Sequence, residues 1–192
     1  MADIPTHHYI YGNCTDYLTG ETIVDTDDER IRQRIARYLV EEKGYDKAAV
    51  IPRRKIETLF AGQFVVSAID LTVMVADKAL FIVRYGPGSL VTRERPALAA
   101  ARVLEKEYQI PFAVVTNGLD AELLATASGK VLGTGLGAIP DRQQAEELAA
   151  TTVFPPPADD ARREKELRIL NAFDVEACCA GGPCALPNAP EG

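Results

Sequence analysis

The sequence predicts an α/β fold, a mixed central β-sheet flanked by helices, and three observations predict it. An opening helix carries its own start and stop signals, a β-rich hairpin follows it, and a second helix then leads into a compact apolar strand. The order helix, strand, strand, strand, helix, strand combines a hairpin with a crossover, so helices must cover the faces of one sheet.

The opening helix is expected over 27–43. Thr26-Asp27-Asp28-Glu29 reads as a capping box, in which hydroxyl and carboxylate satisfy each other's free amides. Ile31, Ile35, Tyr38 and Leu39 repeat at helical spacing, and Gly44 supplies the left-handed residue that ends such a helix. Ala49 to Ile56 is expected as a first strand. Phe64 to Val75 is a longer one, rich in β-branched residues, and Asp77-Lys78 turns it into a hairpin with Ala79 to Tyr85. Gly86-Pro87-Gly88 stops that strand, and Thr92 to Tyr108 reads as helix. Pro111 to Thr116 is a buried strand closed by the Asn117-Gly118 turn. Leu119 to Thr126 and Gly129 to Leu132 add edge strands, and helices are expected at 141–150 and 159–173. Pro155-Pro156-Pro157 between the last two reads as a stiff spacer.

The chain has 192 residues, 47% hydrophobic and 26% charged, which suits one folded domain with extensions. Residues 1–25 are turn-rich and form an expected N-terminal extension, 26–154 the α/β domain, 155–176 the proline spacer and C-terminal helix, and 177–192 a flexible Cys-rich tail. The apolar run from Val65 to Val75 is broken by Ser67, Asp70 and Thr72, short of the roughly 18 residues that span a membrane. No secretory signal is visible at the N-terminus, so the expected location is the cytoplasm, with the four cysteines reduced. The formal charge of −7 disfavours general nucleic-acid binding, which draws its affinity from neutralised phosphates. Basic residues nevertheless cluster at Arg53, Arg54 and Lys55, and at Arg93, Arg95 and Arg102. These are either a residual nucleic-acid contact surface or a solvated strand end and helix face.

The run from Glu29 through Gly118 resembles the N-terminal, nuclease-like domain of type I restriction endonuclease R subunits, of the PD-(D/E)xK superfamily. The residues that carry the resemblance are Glu42-Lys43-Gly44-Tyr45, Ile69-Asp70-Leu71, Leu80-Phe81-Ile82-Val83 and Val114-Val115-Thr116-Asn117-Gly118, in that order. It implies a restriction-endonuclease-like fold. It also implies a site in which an Asp and a Glu on neighbouring strands hold Mg²⁺, with a Lys two residues beyond the Glu to stabilise charge on phosphate. Asp70 stands at the family's Asp, but Arg84-Tyr85-Gly86 stands where Glu-x-Lys is expected. Arg84 cannot ligate a cation, and Gly86 has no side chain. The expectation is therefore an inactive site in which Arg84 pairs with Asp70. Relocated ligands would be needed for an active Mg²⁺-dependent DNA endonuclease, and Glu29, Glu57 and Glu94 are the carboxylates considered for that role.

Cys178, Cys179 and Cys184 fall within seven residues, and Cys14 lies near the other terminus beside His7 and His8. If the termini meet, these thiols could take Zn²⁺ or an iron–sulfur cluster, or carry thiol chemistry. Otherwise they are incidental thiols of a tail. Gly133 to Gly137 reads as a flexible loop, since no Walker lysine follows. Ser89 and Ser128 have no histidine placed to form a triad. Three functions are carried forward: an inactive nuclease-fold domain that binds DNA or a protein partner, an active endonuclease, and a thiol or metal-binding accessory protein. None involves a membrane.

Overall fold

The computed structural model describes residues 10–179. A hairpin of β1 (Ile10–Thr15) and β2 (Thr22–Thr26) opens the chain, where the sequence suggested only turns. Helix α1 (Asp27–Arg37) follows and runs on as a π-helical turn, Tyr38–Glu42. The six-stranded sheet contains β3 (Val50–Phe60), β4 (Gln63–Val75), β5 (Lys78–Tyr85), β6 (Phe112–Thr116), β7 (Ala121–Ala125) and β8 (Val131–Thr134). Its strands lie in chain order, all antiparallel except β5 and β6, which are parallel. A parallel pair needs a crossover, and α2 (Val91–Val103) supplies it. Helices α3 (Arg142–Thr151) and α4 (Asp160–Cys179) complete the described chain.

Two apolar clusters lie on the two faces of the sheet. One joins Ile35, Ala36 and Leu39 of the first helix to Leu71, Val73, Phe81, Val83 and Val114. The other joins the small-residue face of α2, Ala97 to Ala101, to Ile69, Ile82, Ala113, Val115 and Leu170 of α4. A run of alanines lets α2 lie close to the sheet, and α4 packs across both α2 and β4. The proline run is docked instead of free: the Gln109 backbone N–H donates to Pro155 O at 2.9 Å, and its side chain to Pro156 O at 2.8 Å.

Several boundaries move for local reasons. The hairpin of β3 and β4 is longer than expected, because the tight turn at Ala61 and Gly62 joins strands that reach well beyond the body of the sheet. Helix α2 stops at Val103, where Ile110 N–H donates to Ala101 O and turns the chain into β6. Gly133 lies in β8 and not in a loop, paired with Leu123. The Thr26 cap forms, with Glu29 N–H donating to its hydroxyl at 3.1 Å, but the reciprocal half of the box does not. The Glu29 carboxylate is used elsewhere. No helix among the described residues is long and apolar enough to cross a membrane.

Candidate functional site

A regular pleat would put Asp70 and Arg84 side by side. Leu71 pairs with Val83, so the next residues outward, Asp70 and Arg84, are opposite each other, and opposite residues share a face. The pleat is not regular here. Leu71 and Val73 belong to the cluster under α1, yet Ile69 belongs to the cluster under α2 and α4. Strand β4 therefore changes the phase of its alternation at Asp70. Its neighbour does the same: the ladder passes from Pro52–Leu71 to Arg54–Ile69, and the intervening Arg53 has φ of +54°. A non-glycine residue in the left-handed region stores roughly 1–2 kcal/mol and persists only where its surroundings hold it.

The consequence is that Asp70 faces α1. One carboxylate oxygen accepts from Arg32 Nε in a very short contact, and the other accepts the Tyr85 backbone N–H at 2.7 Å. Arg32 Nη1 lies 3.6 Å from Glu29, and Glu29 accepts from Gln33 Nε2 at 2.8 Å. Arg53 lies 3.6 Å from Glu29 and donates to Asp16 at 2.7 Å. A row of alternating charge thus runs Asp16, Arg53, Glu29, Arg32, Asp70, bound by side chains from β3, β4, α1 and the turn after β1. Asp16 is almost fully buried. Burial opposes its charge, but the Thr19 N–H, Gln33 and Arg53 together hold its carboxyl below the usual carboxylate range. Above the row, Tyr85 donates its hydroxyl to Asp28 at 3.2 Å. Burial and the Asp28 charge push that phenol up to about 12.

The expected Asp70–Arg84 pair is absent, and the phase change is the reason. Arg84 keeps the regular alternation and points to the opposite face. There it donates to Asp174 of α4 at 2.9 Å, beside the Phe173 ring. Its other terminal nitrogen and the second Asp174 oxygen are buried with no hydrogen-bond partner among the described residues. The position where the resemblance implies a lysine is also filled. A Cβ built on Gly86 would lie 2.0 Å from Arg93 Nη1, so the Arg93 guanidinium occupies the start of the lysine's path and donates to Pro87 O at 2.7 Å.

These residues do not fit a Mg²⁺ ion. Both Asp70 oxygens are engaged, and two guanidiniums stand between the carboxylates that would have to converge. Among the described residues no group of three or more His, Cys, Asp and Glu side chains is placed to hold a metal. Of the relocated carboxylates considered, Glu29 joins Asp70 only through Arg32. Glu57 is exposed on the projecting hairpin. Glu94 lies on α2, next to Glu122 of β7.

The nominated basic residues are mostly engaged as well. Arg53 serves Asp16 and Glu29, Arg54 pairs with Glu105 at 2.5 Å, and Arg95 with Glu166 at 2.6 Å. Lys55 is exposed. Cys14 is half-buried on β1, and burial followed by the charges of Asp25, Glu29 and Asp16 pushes its thiol up, away from the thiolate a metal requires. The side chains of Cys178 and Cys179, and Cys184, His7 and His8, lie outside the described residues.

Sequence reasoning missed Arg32 and Asp16. One signal for Arg32 was present: Glu29, Arg32 and Gln33 are three polar residues at i, i+3 and i+4, a polar stripe on one face of α1. It missed the Glu94–Glu122 contact too. Burial, then Glu94 and Asp120, push the Glu122 carboxyl above the usual range. The native state then keeps a proton that the unfolded chain releases once pH passes the ordinary carboxylate value, so stability falls through that window. Glu122→Gln should melt higher than the parent at pH 7 and together with it at about pH 3.5, below the ordinary glutamate value. Equal melting temperatures at both pH values would refute the coupling.

No curated protein and no solved structure matches the chain. A family model described as the type I restriction enzyme R protein N terminus matches residues 27–140. That span begins at α1 and includes Glu29, Arg32, Arg53, Asp70, Arg84 and Gly86, and its mixed sheet and helices form a restriction-endonuclease-like fold. Since the match takes in more than half of the chain, this protein belongs to the family of type I restriction enzyme R protein N termini.

Proposed function

We propose that this chain is a nuclease-derived domain of the PD-(D/E)xK kind that no longer cleaves and acts by binding. The observation that carries the reading is the saturation of Asp70 by Arg32 and the Tyr85 N–H, on the opposite face of the sheet from Arg84. A metal-dependent nuclease needs converging carboxylates with free oxygens, and here guanidiniums fill the intervals. The nucleic-acid reading draws support from Arg95 and Arg102, which line one cleft with Arg162. A protein-partner reading has its own support. Leu59 and Phe64, paired across the projecting hairpin, are each more than 60% exposed, and Val66 extends the stripe on the same face.

The test is cleavage. Purified protein is incubated with single- and double-stranded DNA in Mg²⁺ or Mn²⁺, beside an Asp70→Asn variant. The expected outcome is intact DNA with both proteins, and no heat of Mg²⁺ binding that the variant abolishes. Cleavage by the parent that the variant loses would overturn the reading.

A further inference from the structure

The contact between α2 and α4 contains more positive charge than it needs. Arg95 and Arg102 of α2 and Arg162 of α4 converge on a single buried carboxylate, Glu166. Arg102 is itself about nine-tenths buried and lies 3.0 Å from Glu166, with its second terminal nitrogen donating to Thr126 O at 2.8 Å. That one guanidinium is enough to neutralise the carboxylate and join the two helices. Arg95 lies 2.6 Å from the other Glu166 oxygen and Arg162 4.0 Å from the one that Arg102 holds; both add charge beyond that neutral pair, and their side chains stay 47% and 49% exposed. The Arg102 Nε is buried with no hydrogen-bond partner among the described residues. Burial and the neighbouring charges of Arg95 and Arg162 lower the affinity of Arg102 for its proton, although Glu166 opposes this.

An open cleft of about 510 Å³ runs beside these groups, lined by all three arginines, Glu166, Glu94 and the Gly129 turn. Counting both carboxylates as ionised still leaves one positive charge, and it is carried by the two half-exposed arginines at the rim. Guanidiniums are planar forks of donors that match the oxygens of a phosphate two at a time.

We propose that this cleft binds a phosphate group, held by Arg95 and Arg162 at the rim above the fixed Arg102–Glu166 pair. The proposal deepens the binding function above and rests on it, by naming the chemistry recognised and a surface away from Asp70. The phosphate belongs either to a nucleic-acid backbone or to a small phosphate ester.

The test uses the full chain at low salt. Binding of a labelled single-stranded oligonucleotide is followed by anisotropy, and binding of inorganic phosphate and pyrophosphate by calorimetry. The variants are Arg162→Gln, the double variant Arg95→Gln/Arg162→Gln, and Arg168→Gln as an exposed control on the same helix. The double variant should weaken oligonucleotide binding at least tenfold, with the control within about twofold. Its salt slope should fall by about 0.7, one single-strand phosphate contact. Binding of phosphate or pyrophosphate alone, lost in the double variant, supports the cleft with a small ester as the source. Binding that the double variant leaves unchanged, or no binding by any probe, overturns the proposal. Cleavage measured in the same samples separates the two claims, since a cleaving protein sinks the inactive reading whatever the cleft does.

Discussion

Replacing Arg32 with methionine should cost the fold about 3 kcal/mol, the largest effect expected of a single change on the α1 face. Asp70 is 7% exposed and, among the described residues, has two partners, the Arg32 guanidinium and the Tyr85 N–H. Methionine keeps much of the apolar stem but leaves a buried carboxylate without its countercharge. Breaking such a pair costs about 3–5 kcal/mol, and the lower end applies because Arg32 is itself 30% exposed. Urea denaturation at pH 7 measures it. Arg32→Met/Asp70→Asn should recover most of the loss, because asparagine still accepts the Tyr85 N–H and brings no charge. Arg30→Met, two positions away in a pair that is 52% exposed on the arginine side, should cost under about 1 kcal/mol. An Arg32 effect no larger than the Arg30 effect would show that Asp70 finds its stabilisation elsewhere.

The contrast between these two arginines bears on what a sequence can reveal. The Thr26 cap, the β-branched run of β4 and the turn at Asp77 are local signals, read from residues a few positions apart. They placed the first helix and the hairpin correctly. The partner of Asp70 is 38 residues away on α1, and no local rule selects it over Arg84, only 14 residues on. Period-two alternation favoured Arg84, and it would have been right for an unbroken pleat. What defeats it is Arg53 at a positive φ, a conformation that its residue type disfavours and its neighbours impose. The same limit hid Asp174. Asp174 lies on the last helix, but which strand it meets depends on how α4 crosses α2. That Arg84-Tyr85-Gly86 stands where the resemblance implies Glu-x-Lys was legible in the sequence; the two separate ion-pair systems on opposite faces were not.

Writing in the Glu-x-Lys that the resemblance implies, as Arg84→Glu/Gly86→Lys, should destabilise the protein by about 4 kcal/mol and give no cleavage. At position 84 the substitution sets a carboxylate against Asp174, which is 9% exposed and loses the Arg84 guanidinium. Two buried like charges in contact account for most of the cost, about 3 kcal/mol. At position 86 the new Cβ falls 2.0 Å from Arg93 Nη1. That guanidinium is the far end of a flexible side chain and can swing outward, so the added cost is the charged hydrogen bond to Pro87, about 1.5 kcal/mol. The sum is trimmed where the introduced lysine compensates the introduced glutamate, since residues two apart share a strand face. Arg84→Glu/Asp174→Arg, which reverses the pair and leaves Gly86 alone, should regain at least half of the stability lost by Arg84→Glu. No cleavage is expected, for a topological reason. Asp70 faces α1 and residue 84 faces α4, so a glutamate there lies across the sheet from Asp70. Two carboxylates separated by the backbone of their own strands cannot share one ion. Mg²⁺-dependent cleavage by the double variant, lost again on Asp70→Asn, would mean that β4 can resume a regular pleat through Asp70. The phase change would then be a choice between two nearby packings, with the Arg32 pair holding one of them.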